Sequence, residues 1–261
     1  MAETTLQAKK SFGQNFLVDQ NIIRNIINAI NPQEGELIVE VGPGQGALTE
    51  VFLQRGAKVI ALEMDPRMLE PLTKISEQYD NRLEVKLCDA LEVDLTALCD
   101  QPYKLVGNLP YNVGTQIVFN ALELQGTFKQ LTFMLQKEVV QRITANTNDN
   151  HWGRLAVWCD LTSKRFKLFD VPPTAFIPRP KVTSAIVQLT PLESPRFDVD
   201  RKSLAHILHS TFSKRRKMLR ASLKNIISIE EIESLGINPS DRPENLTTEQ
   251  FCQLANIHKA Q

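Results

Sequence analysis

Residues 36–41, Glu-Leu-Ile-Val-Glu-Val, run straight into Gly42-Pro-Gly44-Gln-Gly46, after which residues 47–55 carry a helical pattern. An apolar strand, a turn with three alternating glycines and a helix fix the start of a βαβ unit. Glycine lets the backbone pass close to a ligand, and a helix start offers N–H groups without intrahelical partners. The alternation continues. Residues 58–63 read as a second strand, and Asp65-Pro66 opens a second helix with an acidic N-cap and a proline at the first helical position. Residues 83–87, 104–106 and 131–135 read as three further strands. Strands separated by helices predict an α/β chain with a doubly wound, mainly parallel sheet. Residues 165–171 and 184–189 are predicted to close that sheet as an antiparallel edge hairpin joined by the proline-rich 172–180. Pro191-Leu-Glu-Ser-Pro195 reads as a linker, with helices expected at 203–213, 217–227, 230–235 and 248–258. The expected domains are residues 1–195, α/β, and residues 196–261, small and all-α.

Composition narrows the function classes. The 261 residues are 42% hydrophobic and 23% charged, which excludes a disordered chain and a membrane bundle. Cys88, Cys99, Cys159 and Cys252 are too scattered for a disulfide framework or a zinc site, and no metal is expected. His206 and His209 lack a third ligand nearby. Free thiols and an N-terminus without a signal-peptide pattern predict a cytoplasmic protein. The zero net charge hides an asymmetry: residues 201–261 hold 10 basic and 6 acidic side chains.

Glu63 ends the second strand 21 positions after Gly42, a spacing that suits a carboxylate accepting hydrogen bonds from ribose hydroxyls. With Gly42 and Gly44 it marks an adenosine-containing ligand. The glycine spacing departs from the dinucleotide fingerprint. Glu40 places an anion where a sulfonium-bearing amino acid would be welcome and a pyrophosphate would not, so S-adenosylmethionine (SAM) is favoured over NAD. Asp89, after the third strand, reads equally as an acceptor for an adenine amino group or as a helix N-cap.

Asn108-Leu109-Pro110-Tyr111 ends the fourth strand, at the edge where open α/β sheets bind ligands. An exocyclic aromatic amine is a poor nucleophile because its lone pair is delocalised. The Asn108 side-chain oxygen and the Leu109 or Pro110 carbonyl can accept its two N–H bonds, favouring a pyramidal nitrogen aimed at a methyl donor. Tyr111 can stack on the base and stabilise the cationic product. The product nitrogen is acidic, so no strong general base is needed.

These motifs extend across the chain: Lys10-Ser-Phe-Gly-Gln-Asn15-Phe-Leu17, Glu40-Val-Gly-Pro-Gly, Gly46-Ala-Leu-Thr49, Glu63-Met-Asp65, Asp89-Ala90, Gly107-Asn-Leu-Pro-Tyr111, Phe133-Met-Leu-Gln-Lys-Glu138-Val, Pro173-Thr-Ala-Phe176 with Pro180-Lys-Val, and Phe212-Ser-Lys-Arg-Arg-Lys-Met-Leu-Arg220. In this order they resemble the ribosomal RNA adenine N6,N6-dimethyltransferases, nearest to the bacterial kasugamycin-resistance type acting on 16S rRNA. The resemblance implies a Rossmann-like SAM-dependent methyltransferase fold. It also implies contacts to SAM from Asn15 and the Leu17 backbone, completed by Gly42, Glu63, Asp89 and Asn108. Phe176, which pattern alone assigns to packing, would be a second aromatic clamp facing Tyr111 across the target adenine. The implied substrate is two adjacent adenosines in a hairpin loop near the 3′ end of 16S rRNA, within the small ribosomal subunit or its precursor, each dimethylated by an enzyme expected to be monomeric. Cys88, Thr183 and Val113-Gly114 depart from the family pattern.

Residues 201–229 hold eight basic side chains and no acidic one. Lys214, Arg215, Arg216, Lys217, Arg220 and Lys224 are the candidate phosphate contacts, the alternative being a solvated helix face. Arg216 and Arg220 are expected to share one face at i, i+4. Two other readings compete: a ribosome-assembly checkpoint in which binding outweighs turnover, and a 23S rRNA adenine methyltransferase. Leu109 argues against a DNA adenine methyltransferase.

Overall fold

The computed structural model describes residues 14–110 and 113–259. In chain order its main elements are β1 (Phe16–Leu17), α1 (Gln20–Ile30), β2 (Leu37–Val41), α2 (Thr49–Gln54), β3 (Lys58–Glu63), α3 (Leu69–Gln78), β4 (Leu83–Leu87), β5 (Tyr103–Asn108), α4 (Gly114–Glu123) and β6 (Phe128–Gln136). They continue with α5 (Lys137–Thr144), α6 (Arg154–Thr162), β7 (Ser163–Val171), β8 (Phe176–Ile177), β9 (Ser184–Pro191), α7 (Arg201–Phe212), α8 (Leu219–Ser222), α9 (Ile229–Ser234) and α10 (Thr248–Lys259). Two compact units emerge: 1–140 with 166–191, and 141–165 with 192–261. The second unit therefore takes in residues 141–165, and the boundary expected at 195 is corrected to this discontinuous division.

The first unit is built on a seven-stranded sheet of order β4-β3-β2-β5-β6-β9-β7. Strands β2 to β6 pair in parallel, and β9 runs antiparallel to β6. The strand order reverses between β2 and β5, the switch point where doubly wound sheets hold ligands. Runs such as Ile38-Val39 and Val59–Leu62 are buried, as a sheet covered on both faces requires. Helix α1 begins at Asp19, whose carboxylate accepts the Asn21 and Ile22 N–H groups. It buries Ile23, Ile26, Ile27 and Ile30, one face at helical spacing. At its other end Lys104 reaches out of β5. The ammonium donates to the carbonyls of Ile30 at 2.9 Å and Asn31 at 3.0 Å and pairs with Glu36 at 2.8 Å. A cation at a helix C-terminus meets the negative end of the helix dipole.

Residues 16–17 and 176–177 add a two-stranded antiparallel sheet in which Phe16 faces Ile177 and Leu17 faces Phe176. The sequence reading had treated 172–180 only as a connection. Two-residue strands carry no periodicity by which to find them.

Gly114 opens α4 beside Leu109 and Leu135. A Cβ there would overlap Leu135 Cδ2 and lie 3.2 Å from Leu109 Cβ. The departure to glycine at this position is thus matched by a buried leucine that fills the space. Gly114→Ser is expected to cost about 1–3 kcal/mol by overpacking, read as a lower urea midpoint at unchanged slope. A neutral substitution would show that Leu135 repacks freely.

In the second unit, Arg165 is the hub. Its guanidinium donates to the carbonyls of Ile143 (2.9 Å) and Ala145, pairs with Asp160 at 2.9 Å and lies 5.7 Å from the centroid of the buried Trp152 ring. Asp160 accepts from Thr248 Oγ1 at 2.6 Å, and its carbonyl accepts from Arg196 Nε at 2.7 Å. The Trp152 indole donates to the Leu246 carbonyl at 3.0 Å. These bonds join 141–165 to the C-terminal helices.

The expected helix over 217–227 is corrected to Leu219–Ser222 alone. Lys214 to Arg216 lie in turns, so Arg216 and Arg220 do not share a helix face. The chain is extended at Met218, and the Leu219 and Arg220 N–H groups donate to the carbonyls of Asp241 and Pro239, which fixes the start of α8. Asn225, at φ 74, marks the turn that follows it.

Candidate active site

A cavity of about 310 Å³ lies at the carboxyl ends of β2, β3 and β5. The turn after β2 brings Gly42, Gly44 and Gly46 there, all at positive φ (68°, 55° and 86°). A side chain at these positions would be strained, and at Gly46 it would also overlap Ile75. The Phe16 ring lies over Gly44, 3.2 Å from where a Cβ would sit.

Glu63 ends β3 with its carboxylate buried. Oε1 accepts the N–H groups of Met64 (2.9 Å) and Asp65 (2.8 Å), and Oε2 accepts that of Gly44 (3.1 Å). A carboxylate has about four lone-pair directions, so Oε2 retains one for a ligand hydroxyl. Burial pushes its pKa up, and the three N–H bonds oppose that shift. Asp89 lines the cavity, and its Oδ1 accepts the Leu91 N–H at 2.9 Å. Residues 90–93 form turns and no helix. The N-cap reading is thereby replaced by an Asx turn that leaves Oδ2 available.

Glu40 is 2% exposed and accepts from Thr49 Oγ1 at 2.6 Å. Burial raises its carboxyl to about 7, against the Thr49 hydrogen bond and helped by the nearby Glu63 charge. The cavity lining holds four carboxylates, Glu40, Glu50, Glu63 and Asp89, and no basic side chain among the described residues. Such a lining repels a pyrophosphate and suits a cationic ligand carrying a ribose. This lining fits SAM, which would be held by Glu63, Asp89 and Glu40.

The acceptor end is formed by β5. Asn108 lies at the wall, and its Nδ2 donates to the Asn15 carbonyl at 3.2 Å. Gly107 is required beside it, since a Cβ there would come within 2.6 Å of the Val41 carbonyl. Of the two carbonyls considered for the target amine, that of Pro110 already accepts the N–H groups of Gly114 (2.9 Å) and Val113 (3.2 Å). The Leu109 carbonyl is therefore the better acceptor. Phe176 is 2% exposed, packs in the core and also lines the cavity. Tyr111 lies outside the described residues. Asn15 and Leu17 line the same cavity.

The structure also gives a place beside the site to Arg67 and to side chains that the sequence marks only as motif members or, for Asp65, as a helix N-cap. Asp65 forms a two-oxygen ion pair with Arg67 and accepts from Gln14 Nε2 at 2.9 Å. The Arg67 guanidinium beside it holds its carboxyl down to about 2. Asp65 and Arg67 lie two and four residues beyond the recognisable Glu63, and no spacing pattern in the sequence joins them to Gln14.

In the second unit, Lys214, Arg216, Lys217, Arg220 and Lys224 are exposed. Arg215 is partly committed elsewhere: it pairs with Glu244 at 3.0 Å and donates to the Asn150 carbonyl at 2.7 Å. No group of three or more potential metal ligands occurs among the described residues.

A glycine turn, a buried carboxylate at the end of β3 and an amide at the end of β5, set on this strand order, define a SAM-dependent methyltransferase. The family described as ribosomal RNA adenine dimethylase matches residues 5–260, and the chain belongs to that family. It is 47% identical over 255 residues to the ribosomal RNA small subunit methyltransferase A of Sinorhizobium fredii, covering 96% of this chain and 86% of the relative. A crystal structure of a dimethyladenosine transferase from Plasmodium falciparum superposes with a TM-score of 0.80 at 28% identity, covering 92% of this chain and 95% of that one. The 23S rRNA methyltransferase ErmE gives 0.73 at 25% identity, with 95% and 100% covered.

The ionisation of Glu40 has a measurable consequence. Below about pH 7 the carboxyl is protonated and neutral, and above it the group is anionic. A cationic ligand prefers the anion, so SAM affinity should rise with pH and level off above 7. Between pH 6 and pH 8 the dissociation constant should fall by about tenfold, measured by calorimetry, with proton release near pH 7. Glu40→Gln should flatten the profile. A flat wild-type profile would remove Glu40 from the cation site.

Proposed function

We propose that the protein dimethylates N6 of two adjacent adenosines in a hairpin loop near the 3′ end of 16S rRNA, in the small subunit or its precursor. The observation that carries this reading is the Asn108 amide, fixed at the end of β5 with its oxygen available to the cavity that Glu40, Glu63 and Asp89 make suitable for SAM. When bound, SAM supplies an electrophilic methyl group on a sulfonium.

Asn108 Oδ1 and the Leu109 carbonyl accept the two N–H bonds of the target amine. That draws the lone pair out of conjugation and aims it into the cavity. Phe176 and Tyr111 stack on the adenine face and stabilise the positive charge that develops on it. The methylated nitrogen then loses a proton to solvent. An adenosine in a loop is already partly unstacked, so extruding it costs less than from a duplex. Phosphates are contacted by Lys214, Arg216, Lys217, Arg220 and Lys224, with Arg215 contributing what its pairing with Glu244 leaves. Residues 1–140 with 166–191 carry the chemistry, and residues 141–165 with 192–261 the RNA surface. The enzyme acts as a cytoplasmic monomer.

The test incubates the protein and SAM with small subunits from a strain lacking the modification, followed by nucleoside mass spectrometry. N6,N6-dimethyladenosine in 16S rRNA is the expected product. Product only in 23S rRNA would move the substrate to the large subunit. Tight particle binding without product would favour the checkpoint reading.

A further inference from the structure

An amide carries its donor and acceptor in one plane, so whatever holds one end decides which end meets the substrate. Asn108 must present oxygen to an amine, and its nitrogen is held by one group, the Asn15 backbone carbonyl at 3.2 Å. That carbonyl belongs to the N-terminal arm, which is tied down on both sides. On the C-terminal side, Phe16 and Leu17 pair with Ile177 and Phe176, and the Val18 N–H donates to the Ala175 carbonyl at 2.9 Å. On the N-terminal side, both ends of the Gln14 amide are engaged. Its Nε2 donates to Asp65 Oδ2 at 2.9 Å, and its Oε1 accepts from Arg67 Nη2 at 3.2 Å. Asp65 is itself immobile: its side chain is 1% exposed, it receives Arg67 at both oxygens, and its own N–H donates to Glu63 Oε1 at 2.8 Å.

We infer that Gln14 is a positioning residue for methyl transfer: clamped by Asp65 and Arg67, it fixes the Asn15 carbonyl, which holds the Asn108 amide with its oxygen toward the acceptor nitrogen. The inference rests on the proposed role of Asn108. It links the carboxylate that binds the ribose to the amide that binds the amine through hydrogen bonds from Asp65 to Glu63, from Gln14 to Asp65 and from Asn108 to Asn15, joined by the peptide bond between Gln14 and Asn15. Gln14 touches neither reacting atom. Its effect is orientation, and small misplacements of a reacting group cost up to about 100-fold in rate.

The experiment compares wild type, Gln14→Ala and Arg67→Lys, which keeps a cation beside Asp65 while removing the forked donor. In Gln14→Ala, kcat at saturating SAM should fall about tenfold. The SAM dissociation constant by calorimetry should rise by a smaller factor than kcat falls, since Gln14 and Asn15 also line the cavity, and affinity for small subunits should not change. Arg67→Lys should show the same split with a smaller loss. A readout independent of turnover is the Asn108 side-chain NH2 signal in protein labelled with 15N-asparagine, assigned by its absence in Asn108→Ala. It should shift and exchange faster with water in Gln14→Ala. In the Asn108→Ala background, Gln14→Ala should cause no further loss, because residues acting as one unit are not additive. Unchanged kcat, an unchanged Asn108 signal, or a loss confined to SAM binding would each overturn the inference. A wild-type enzyme inactive on 16S rRNA would instead overturn the functional reading it stands on.

Discussion

Replacing Asn108 by alanine is expected to lower kcat by on the order of 10²–10³, the loss seen when one preorganised polar group is removed from a developing charge. The fold should survive. Asn108 is only half-buried, and its side chain donates a single bond, to the Asn15 carbonyl. Affinity for small subunits should stay within about twofold, since phosphate contacts supply most of non-specific affinity for nucleic acid. Single-turnover methylation and filter binding separate the two quantities. Equal loss of both would mean that Asn108 holds RNA and does not activate the amine. Asn108→Asp tests the same point differently. It keeps an acceptor, loses the Nδ2 donor to Asn15 and adds a charge, and should recover part of the lost rate.

The second large effect is structural. Arg165→Met keeps most of the side-chain stem and removes the guanidinium from two carbonyls, the Asp160 carboxylate and the Trp152 face. Its side chain is 7% exposed, so water cannot replace the lost partners. Removing one member of such a pair costs about 3–5 kcal/mol. The cost should appear in urea unfolding and as faster hydrogen exchange at amides of 141–165 and 192–259. Arg165→Lys should fall between, because an ammonium lacks the planar fork. A change under about 1 kcal/mol would place this pair with ordinary surface ion pairs.

Much of the first unit was legible in the sequence because its signals are local. Gly42, Gly44 and Gly46 stand where positive φ is required, and Glu63 and Asn108 each end a strand whose apolar run reads directly. What escaped depends on partners distant in sequence. Phe176 reads as packing until Leu17 pairs with it. The attachment of 141–165 to the C-terminal helices rests on single side chains, Arg165, Asp160 and Trp152, none of which forms a periodic pattern. The helix expected over 217–227 has helical composition throughout. Its start is delayed because loop carbonyls at 239 and 241 take the N–H groups of Leu219 and Arg220, which no local propensity reports, and a turn with Asn225 at positive φ follows Ser222. The basic composition of that segment was legible, and its arrangement on a shared helix face was not.

The pairing of residues 16–17 with residues 176–177 also sets when the site comes into existence. Contacts between segments so far apart in the chain must overcome the entropy of closing a long loop, so they form after local structure. During synthesis the glycine turn, Glu63 and Asn108 leave the ribosome well before Phe176. A nascent or truncated chain lacking residues beyond about 170 therefore has its cofactor-binding loops but no strand to hold the arm across them. The site is therefore complete only once nearly the whole first unit has been made.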